Sequence, residues 1–207
     1  MALAQVLLEF KDSLAQCDSL IANAHKADAT GTPLLPTLDQ QQITVAAFLN
    51  MFIAWETFLE SSLTEFMTGM HTISGTAPNR YVRPIDLNAA RNLIIWVGRY
   101  FDYANHQNII KAVKMYFEHG YPYEPHLSAI YSDLQDLRTM RNASAHVSST
   151  TQTALESLAV RIFGQPQPGI SLYQLLTMLD PRSATSETIF LTYKNKLVVT
   201  AELISQG

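Results

Sequence analysis

Hydrophobic residues recur every three or four positions in the long apolar segments of this chain, which is the spacing of one face of a helix. In the first segment the apolar face consists of Leu3, Val6, Leu7, Phe10, Leu14, Cys17, Ile21 and Ala24. In the second, from about Gln42 to Met70, it consists of Val45, Phe48, Leu49, Phe52, Trp55, Leu59, Leu63, Phe66 and Met67. The pattern predicts two long helices, separated by a loop that contains Gly31, Pro33 and Pro36.

Further helices follow from capping residues and from the same spacing. They are predicted from Asp86 (as N-cap) to Tyr100, from His106 to Glu118, from Leu127 into the segment 141–146, and from Thr153 to Phe163. Two tail helices are predicted over Leu172–Leu179 and about Glu187–Ile204. No segment alternates convincingly with a period of two, so the expected fold class is all-α. The expected architecture is a four-helix core with additional C-terminal helices.

The domain organisation follows from length and from one linker. A chain of 207 residues is long enough for one well-buried core. The linker 164–169 contains two glycines and two prolines, and it separates the tail helices from the rest. We expect a single domain over 1–207, with a core of about 1–163 and C-terminal helices of about 170–205 packed on it.

Charge is unevenly distributed, although the net charge is −4. Residues 1–79 carry two lysines against eight acids, and residues 80–146 carry eight basic residues against six acids. The basic residues of the middle segment are Arg80, Arg83, Arg91, Arg99, Lys111, Lys114, Arg138 and Arg141. This distribution permits a phosphate-binding surface without requiring one, and an ordinary solvated face explains it equally well.

The compartment is inferred from three absences. The lone cysteine, Cys17, has no intramolecular disulfide partner, which suits a reducing compartment. The N-terminus lacks the pattern of a signal peptide. The most apolar segment, Ile43–Trp55, meets Glu56 and is too short to cross a bilayer. We therefore expect a soluble, cytoplasmic protein.

Two charged residues fall on apolar helix faces. At about 100° per residue, Arg141 lies within about 20° of Leu134 on its helix. Glu56 lies about 40° from Phe52, inside the apolar face of the second helix. Burial of an unpaired charge is costly, so Arg141 should have a partner or face a cleft or a second subunit. Glu56 is the natural partner, and a purely architectural Glu56–Arg141 ion pair is one interpretation.

Three polar residues near Arg141 in the sequence could take part in catalysis or binding. Asn142 and His146 are four residues apart, so on a helix the amide can orient the imidazole. Arg138 lies four residues before Asn142. A histidine can move protons near neutral pH, and an arginine can bind a phosphate.

The motif Arg141-Asn142-Ala143-Ser144-Ala145-His146 resembles the catalytic motif of the HEPN superfamily (higher eukaryotes and prokaryotes nucleotide-binding domains). The segment 52–60, with Trp55 and Glu56, is similar to the aromatic-plus-glutamate helix of MAE-like and RiboL-PSP HEPN nucleases. The segment 171–176 is similar to theirs to a lesser degree. A second match to the spacing, Arg99 and His106, has Tyr100 at the polar position and a predicted helix break at 102–105.

The resemblance implies an endoribonuclease that needs neither metal nor cofactor. In this family the ribose 2′-hydroxyl attacks the adjacent phosphorus and leaves a cyclic phosphate and a 5′-hydroxyl. The implied catalytic residues are Arg141 on the phosphate, His146 as general acid or base, and Asn142 as an orienting group. Glu56 and Arg138 would support them. The family also implies a homodimer in which two motifs face each other.

The biological role implied by the resemblance is a toxin or an anti-phage effector, with RNA as substrate and an antitoxin or other regulatory protein as possible partner. Some HEPN toxins carry a modifiable tyrosine two residues after the histidine, where this chain has Ser148. Silencing by modification at that position is therefore not expected. The alternative function is a HEPN-like module that binds RNA, nucleotides or proteins without cutting.

Other candidate residues have ordinary structural explanations. Glu118, His119, Glu124 and His126 surround a proline-containing turn without the spacing of a metal site. Tyr121 and Tyr123 could stack on bases, but loop or core packing is the preferred interpretation.

Overall fold

The computed structural model describes residues 3–95, 100–145 and 148–207, and the regular secondary structure in these ranges is helical. The nine α-helices of the described ranges are α1 Leu3–Ala24, α2 Thr37–Thr68, α3 Leu87–Ile95, α4 His106–Tyr116, α5 Tyr123–Ala129, α6 Tyr131–Ala145, α7 Ser149–Phe163, α8 Leu172–Thr177 and α9 Ile189–Gln206. A 3₁₀ turn, Glu118–Gly120, lies between α4 and α5. The predicted all-α fold class is confirmed.

The first two helices follow their predicted apolar faces closely. Seven of the eight residues predicted for the face of α1 are buried, and Ile21 is half-buried. On α2 the residues from Phe52 to Met67 that were assigned to the core are buried, whereas Val45 and Leu49 are half-buried. Helix α2 begins at Thr37, five residues before the predicted start, and the Gln40 amide donates to the Pro36 carbonyl at 3.1 Å.

The predicted continuous helix from Leu127 into the motif is wrong. The chain leaves helical geometry at Ile130, which has φ −107° and ψ 24° and caps α5. Helix α6 then starts anew, with the Leu134 amide donating to the Ile130 carbonyl at 3.0 Å. Tyr123, predicted as part of a loop, begins α5. The motif residues 141–145 therefore belong to a helix that is separate from the one that carries Leu127.

Side-chain caps fix several helix starts. The Asp86 carboxylate accepts from the Ala89 amide at 2.7 Å before α3, as predicted. The Asn105 side chain accepts from the Gln107 amide at 3.1 Å before α4. Since Asn105 is the cap, the chain between Arg99 and His106 is not one helix, and this excludes a helical context for the second motif match. Gly164, in the left-handed conformation with φ 72°, ends α7.

The chain divides into two compact units, each assembled from distant parts of the sequence. The first unit takes its described residues from Met1–Lys11, Trp55–Leu134 and Leu197–Gly207. Its core includes Phe10, whose ring lies 5.9 Å from Trp55 and 5.2 Å from Phe58. The fully buried Tyr123 hydroxyl donates to Ser62 at 2.8 Å in the same unit. The prediction of one domain over 1–207 stays a prediction.

The second unit comprises Asp12–Ala54 and Gln135–Lys196. Its buried side chains come from the second half of α1, the first half of α2, and helices α6 to α9. Each large aliphatic or aromatic side chain buried in such a core stabilises the fold by roughly 1.5–3 kcal/mol. All the residues of the predicted motif that the structure describes belong to this unit.

Helix α2 is long and apolar enough to cross a membrane by length and composition, and its apolar stretch exceeds the predicted segment Ile43–Trp55. Half of that stretch is buried inside the protein, and core helices of soluble proteins pass the same test.

Candidate functional site

Arg141 lies on the inward face of α6. Leu134, Leu137 and Met140 are buried and define that face. At about 100° per residue, Arg141 falls between Leu134 and Leu137 in projection. Its side chain is half-buried. The predicted position of this arginine on an apolar stripe is therefore confirmed.

The partner that the structure gives to the Arg141 guanidinium is a neutral amide. Its Nη1 donates to Asn142 Oδ1 at 3.4 Å, which is a long hydrogen bond. Among the described residues of the second unit, no acidic side chain forms an ion pair with Arg141. Glu56 is half-buried and belongs to the first unit. The predicted Glu56–Arg141 pair therefore stays a prediction.

His146, the predicted general acid or base, lies outside the described residues, and its role stays a prediction. Asn142 is half-buried at the last turn of α6, four residues earlier in the chain. Ser144 donates from its hydroxyl to the Arg141 carbonyl at 2.6 Å, which satisfies one of the carbonyls at the end of the helix.

A polar groove of about 390 Å³ lies between α6 and α7. Its lining residues are Gln135, Asp136, Arg138, Thr139 and Asn142 on α6, and Arg161 on α7. Two of the predicted site residues, Arg138 and Asn142, thus line one groove. Arg138 is exposed. The side chain of Asn142 connects the two features, since it lines the groove and also accepts from Arg141.

Asp136 is a buried acid of the groove that the sequence analysis missed. Its side chain is 4% exposed, and Arg161 Nη1 donates to its Oδ1 at 2.8 Å. The Tyr193 hydroxyl donates to its Oδ2 at 2.7 Å. Burial, with the hydrogen bond to this carboxylate, raises the pKa of the Tyr193 hydroxyl above its ordinary value. Both oxygens of Asp136 are therefore engaged within the second unit.

Asp180 and Arg182 extend this polar network. Arg182 binds the fully buried Asp180 carboxylate through two nitrogens, at 2.9 Å and 2.8 Å. Burial of Asp180 opposes its ionisation, but the hydrogen bonds from Arg182 outweigh that effect and lower the pKa of the carboxyl. The Arg182 guanidinium also lies 5.7 Å from the centre of the Tyr193 ring. We call Asp136, Arg161, Tyr193, Asp180 and Arg182 the buried acid network.

The acids around the proline-containing turn have partners of their own. Glu118 accepts from the Asn79 amide at 2.7 Å, and Glu124 pairs with Lys114 at 3.2 Å. Burial lowers the pKa of His126. Within the described ranges, no group of three or more His, Cys, Asp or Glu side chains could hold a metal ion.

A second cavity of the same unit, of about 420 Å³, is lined by Ile21, Leu176 and Leu191 together with polar residues. His25 lines it and hydrogen-bonds to Thr44 at 3.1 Å. None of the predicted site residues lines this cavity, so the polar groove is the better candidate site.

Ser148, which stands where some HEPN toxins have a tyrosine, caps α7. Its hydroxyl accepts from the Thr151 amide at 3.2 Å, and its own amide donates to the Thr151 hydroxyl at 3.0 Å. The reciprocal pair is a capping box. The residue at this position therefore has a structural role in starting the helix that carries Arg161.

Comparison with protein-family models, with curated proteins and with solved structures finds no match to this chain. The resemblance to the HEPN superfamily consequently rests on the sequence segments alone.

Proposed function

We propose that this chain is a metal-independent endoribonuclease in which Arg141, Asn142 and His146 carry the chemistry. The observation that supports it most is the state of Arg141. Its guanidinium is half-buried and bonded to the neutral Asn142 amide at 3.4 Å. Among the described residues of its own unit no carboxylate neutralises this guanidinium, so its charge is available to a phosphate. A phosphate binds a guanidinium more strongly than an amide does.

The reaction needs no reagent beyond the RNA itself. A base removes the proton of the ribose 2′-hydroxyl, the oxygen bonds to the adjacent phosphorus, and the bond from phosphorus to the 5′-oxygen breaks. The leaving oxygen receives a proton, and the products are a 2′,3′-cyclic phosphate and a 5′-hydroxyl. Because the nucleophile is internal, no metal-activated water is required. General acid–base catalysis of this kind contributes roughly 10²–10⁴ in rate.

Each residue has one role in this proposal. His146 moves the proton, and Arg141 stabilises the negative charge that grows on the phosphate oxygens. Asn142 orients the imidazole or a phosphate oxygen. The resemblance implies a homodimer, and we propose that one histidine from each subunit takes part in the two proton transfers. Glu56 and Arg138 would position these groups.

The proposed setting is a cytoplasmic toxin or anti-phage effector that an antitoxin or other regulatory protein controls. Free and buried Cys17 is compatible with a reducing compartment. Because this chain has Ser148 where some HEPN toxins have a tyrosine, and this serine caps α7, control would not act through tyrosine modification there.

The test is cleavage of total RNA by the purified full chain in excess EDTA. We expect fragmentation by the wild-type protein and none by His146→Ala, with 5′-hydroxyl and 2′,3′-cyclic or 3′-phosphate ends. Arrest by EDTA, or cutting by His146→Ala at the wild-type rate, would contradict the mechanism. A protein that binds RNA but leaves it intact would instead be the non-cleaving binding module.

A further inference from the structure

The groove between α6 and α7 has the chemistry of an anion site. All six lining side chains are polar, and two of them, Arg138 and Arg161, are guanidinium groups from different helices. Gln135, Arg138, Thr139 and Asn142 follow the three- and four-residue spacing of one outward face of α6. The groove therefore presents a polar stripe on one wall and an arginine on the other.

The single acid of the groove is already neutralised. The Asp136 side chain is 4% exposed, and its two oxygens accept from Arg161 and Tyr193. The Arg161 side chain is 56% exposed, and the bond to Asp136 uses only its Nη1. A guanidinium has five N–H donors, so Arg161 keeps donors for a second anion while Asp136 holds the group in place.

Asn142 connects this groove to the proposed catalytic arginine. Its side chain lines the groove, and its Oδ1 accepts from Arg141 Nη1 at 3.4 Å. Arg138 precedes Asn142 by one helical turn, a rise of about 6 Å along α6. A nucleic-acid strand with a backbone phosphate in the groove would thus pass next to the Arg141–Asn142 pair.

We propose that the groove binds a backbone phosphate of a single-stranded RNA, with Arg161 and Arg138 as its ligands. The identity of this strand rests on the proposed function, whereas the anion site rests on the groove. Arg161 is assigned here as a substrate-binding residue. It lies in the last turn of α7, outside the motif and outside the basic segment 80–146.

The test measures binding separately from cleavage. A fluorescent 2′-O-methyl RNA strand has no free 2′-hydroxyl and stays intact, so its anisotropy with the full chain reports affinity alone. We expect Arg161→Gln and Arg138→Gln each to weaken binding about tenfold. Each should also reduce the slope of log affinity against log salt by about 0.7, the value for one phosphate contact on a single strand.

Three further variants serve as controls for this test. Arg83→Gln removes the same charge from an exposed loop residue and should leave affinity near that of the wild type. Arg161→Lys keeps the charge and should bind between wild type and Arg161→Gln. If Arg161→Gln does not fold because Asp136 loses a partner, the affinity of Arg138→Gln for the strand tests the proposal. Thr177→Val changes the second cavity, which lies apart from the groove residues, and should not alter binding.

The outcomes for the groove and for the nuclease differ. If binding depends on Arg161 and Arg138 but ordinary RNA is not cleaved, the groove is an RNA-binding site and the proposed nuclease function is wrong. If the wild-type protein cleaves RNA but Arg161→Gln, Arg138→Gln and Arg83→Gln bind the strand with equal affinity, the groove is not the RNA-binding site. The proposed function would then still stand. A wild-type protein that does not bind the strand would overturn the groove.

Discussion

The buried acid network and Arg141, which both belong to the second unit, differ in how their charges are paired. In the buried acid network, Asp136 and Asp180 are each bound by arginine at 2.8 Å, and Asp136 also accepts from Tyr193 at 2.7 Å. Arg141, only five residues after Asp136, has a 3.4 Å bond to the Asn142 amide. The two carboxylates of the network are saturated with short hydrogen bonds, and the Arg141 guanidinium is not.

The difference separates charges that hold the fold from charges that are available for a ligand. Buried carboxylates without partners are strongly unfavourable, so the network's arginines are required where they are. The Asn142 amide gives Arg141 one weak neutral hydrogen bond, and a phosphate would give it a stronger, charged one. We therefore expect substitutions of the two network acids to lower stability and substitutions at Arg141 to lower activity. Arg161 belongs to both groups, because it binds Asp136 through Nη1 and also lines the groove.

The largest expected effect is on catalysis at Arg141. Arg141→Gln should reduce RNA cleavage by about 10²–10³, the cost of losing one donor to a developing oxyanion. The free energy of unfolding should change by less than about 1 kcal/mol, because only a weak bond is lost. Single-turnover cleavage rates and denaturant titrations of the same preparations measure both. A stability loss equal to that of the network variants would remove the distinction between the network and Arg141.

The next largest effect is on stability at Asp136. Asp136→Ala removes the acceptor of the buried Tyr193 hydroxyl and the partner of Arg161, and should lower the free energy of unfolding by about 2–3 kcal/mol. Tyr193→Phe removes one hydrogen bond and should cost about 1 kcal/mol. Urea titrations compare the two. Wild-type stability in Asp136→Ala would show that the network does not hold the unit together.

Acid should weaken the network through Asp180. Hydrogen bonds from Arg182 lower the pKa of this buried carboxyl in the folded protein. The ionised group therefore contributes stability above its unfolded pKa of about 3.9, and this contribution is lost as the pH falls through the lower folded value. The stability difference between wild type and Asp180→Asn should shrink as the pH falls below about 4. A difference that stays constant across this range would contradict the assignment.

The smallest expected effect concerns the helix cap that follows the motif. Ser148→Ala removes the acceptor of the Thr151 amide and should cost about 1 kcal/mol of stability. Ser149→Ala, a change at the exposed first position of α7, is the matched control and should cost less. Thermal unfolding of both variants measures the difference. Equal melting temperatures would indicate that the capping box contributes nothing.

The fold was largely predictable because helix signals are local. The apolar faces of α1 and α2, the cap Asp86 and the end of α7 at Phe163 follow from spacing and residue type. The break at Ile130 was not predictable, since the apolar spacing continues from Leu127 to Leu137 across it. The half-buried position of Arg141 was predictable for the same reason as the helices, because it depends on a single helical projection.

The groove could not be predicted, because its walls meet only in three dimensions. Arg161 and Tyr193 lie far from Asp136 in sequence, and no local pattern pairs them. One signal was present. Met140 extends the apolar face of α6 beyond Leu137, which moves Asp136 to the border of that face and predicts a buried acid in need of partners. The Glu56–Arg141 pair and the role of His146 stay predictions.

The central claim is that the 2′-hydroxyl of the RNA is the nucleophile and that Arg141 and His146 replace a metal. The most direct test is an oligodeoxynucleotide that contains one ribonucleotide, incubated with the full wild-type chain in excess EDTA. The account predicts a single cut on the 3′ side of the ribonucleotide, with a cyclic phosphate on one product. It also predicts no cut in the matching all-deoxy strand. Cleavage of the all-deoxy strand, or cleavage of the ribonucleotide strand only after addition of a divalent metal, would contradict it.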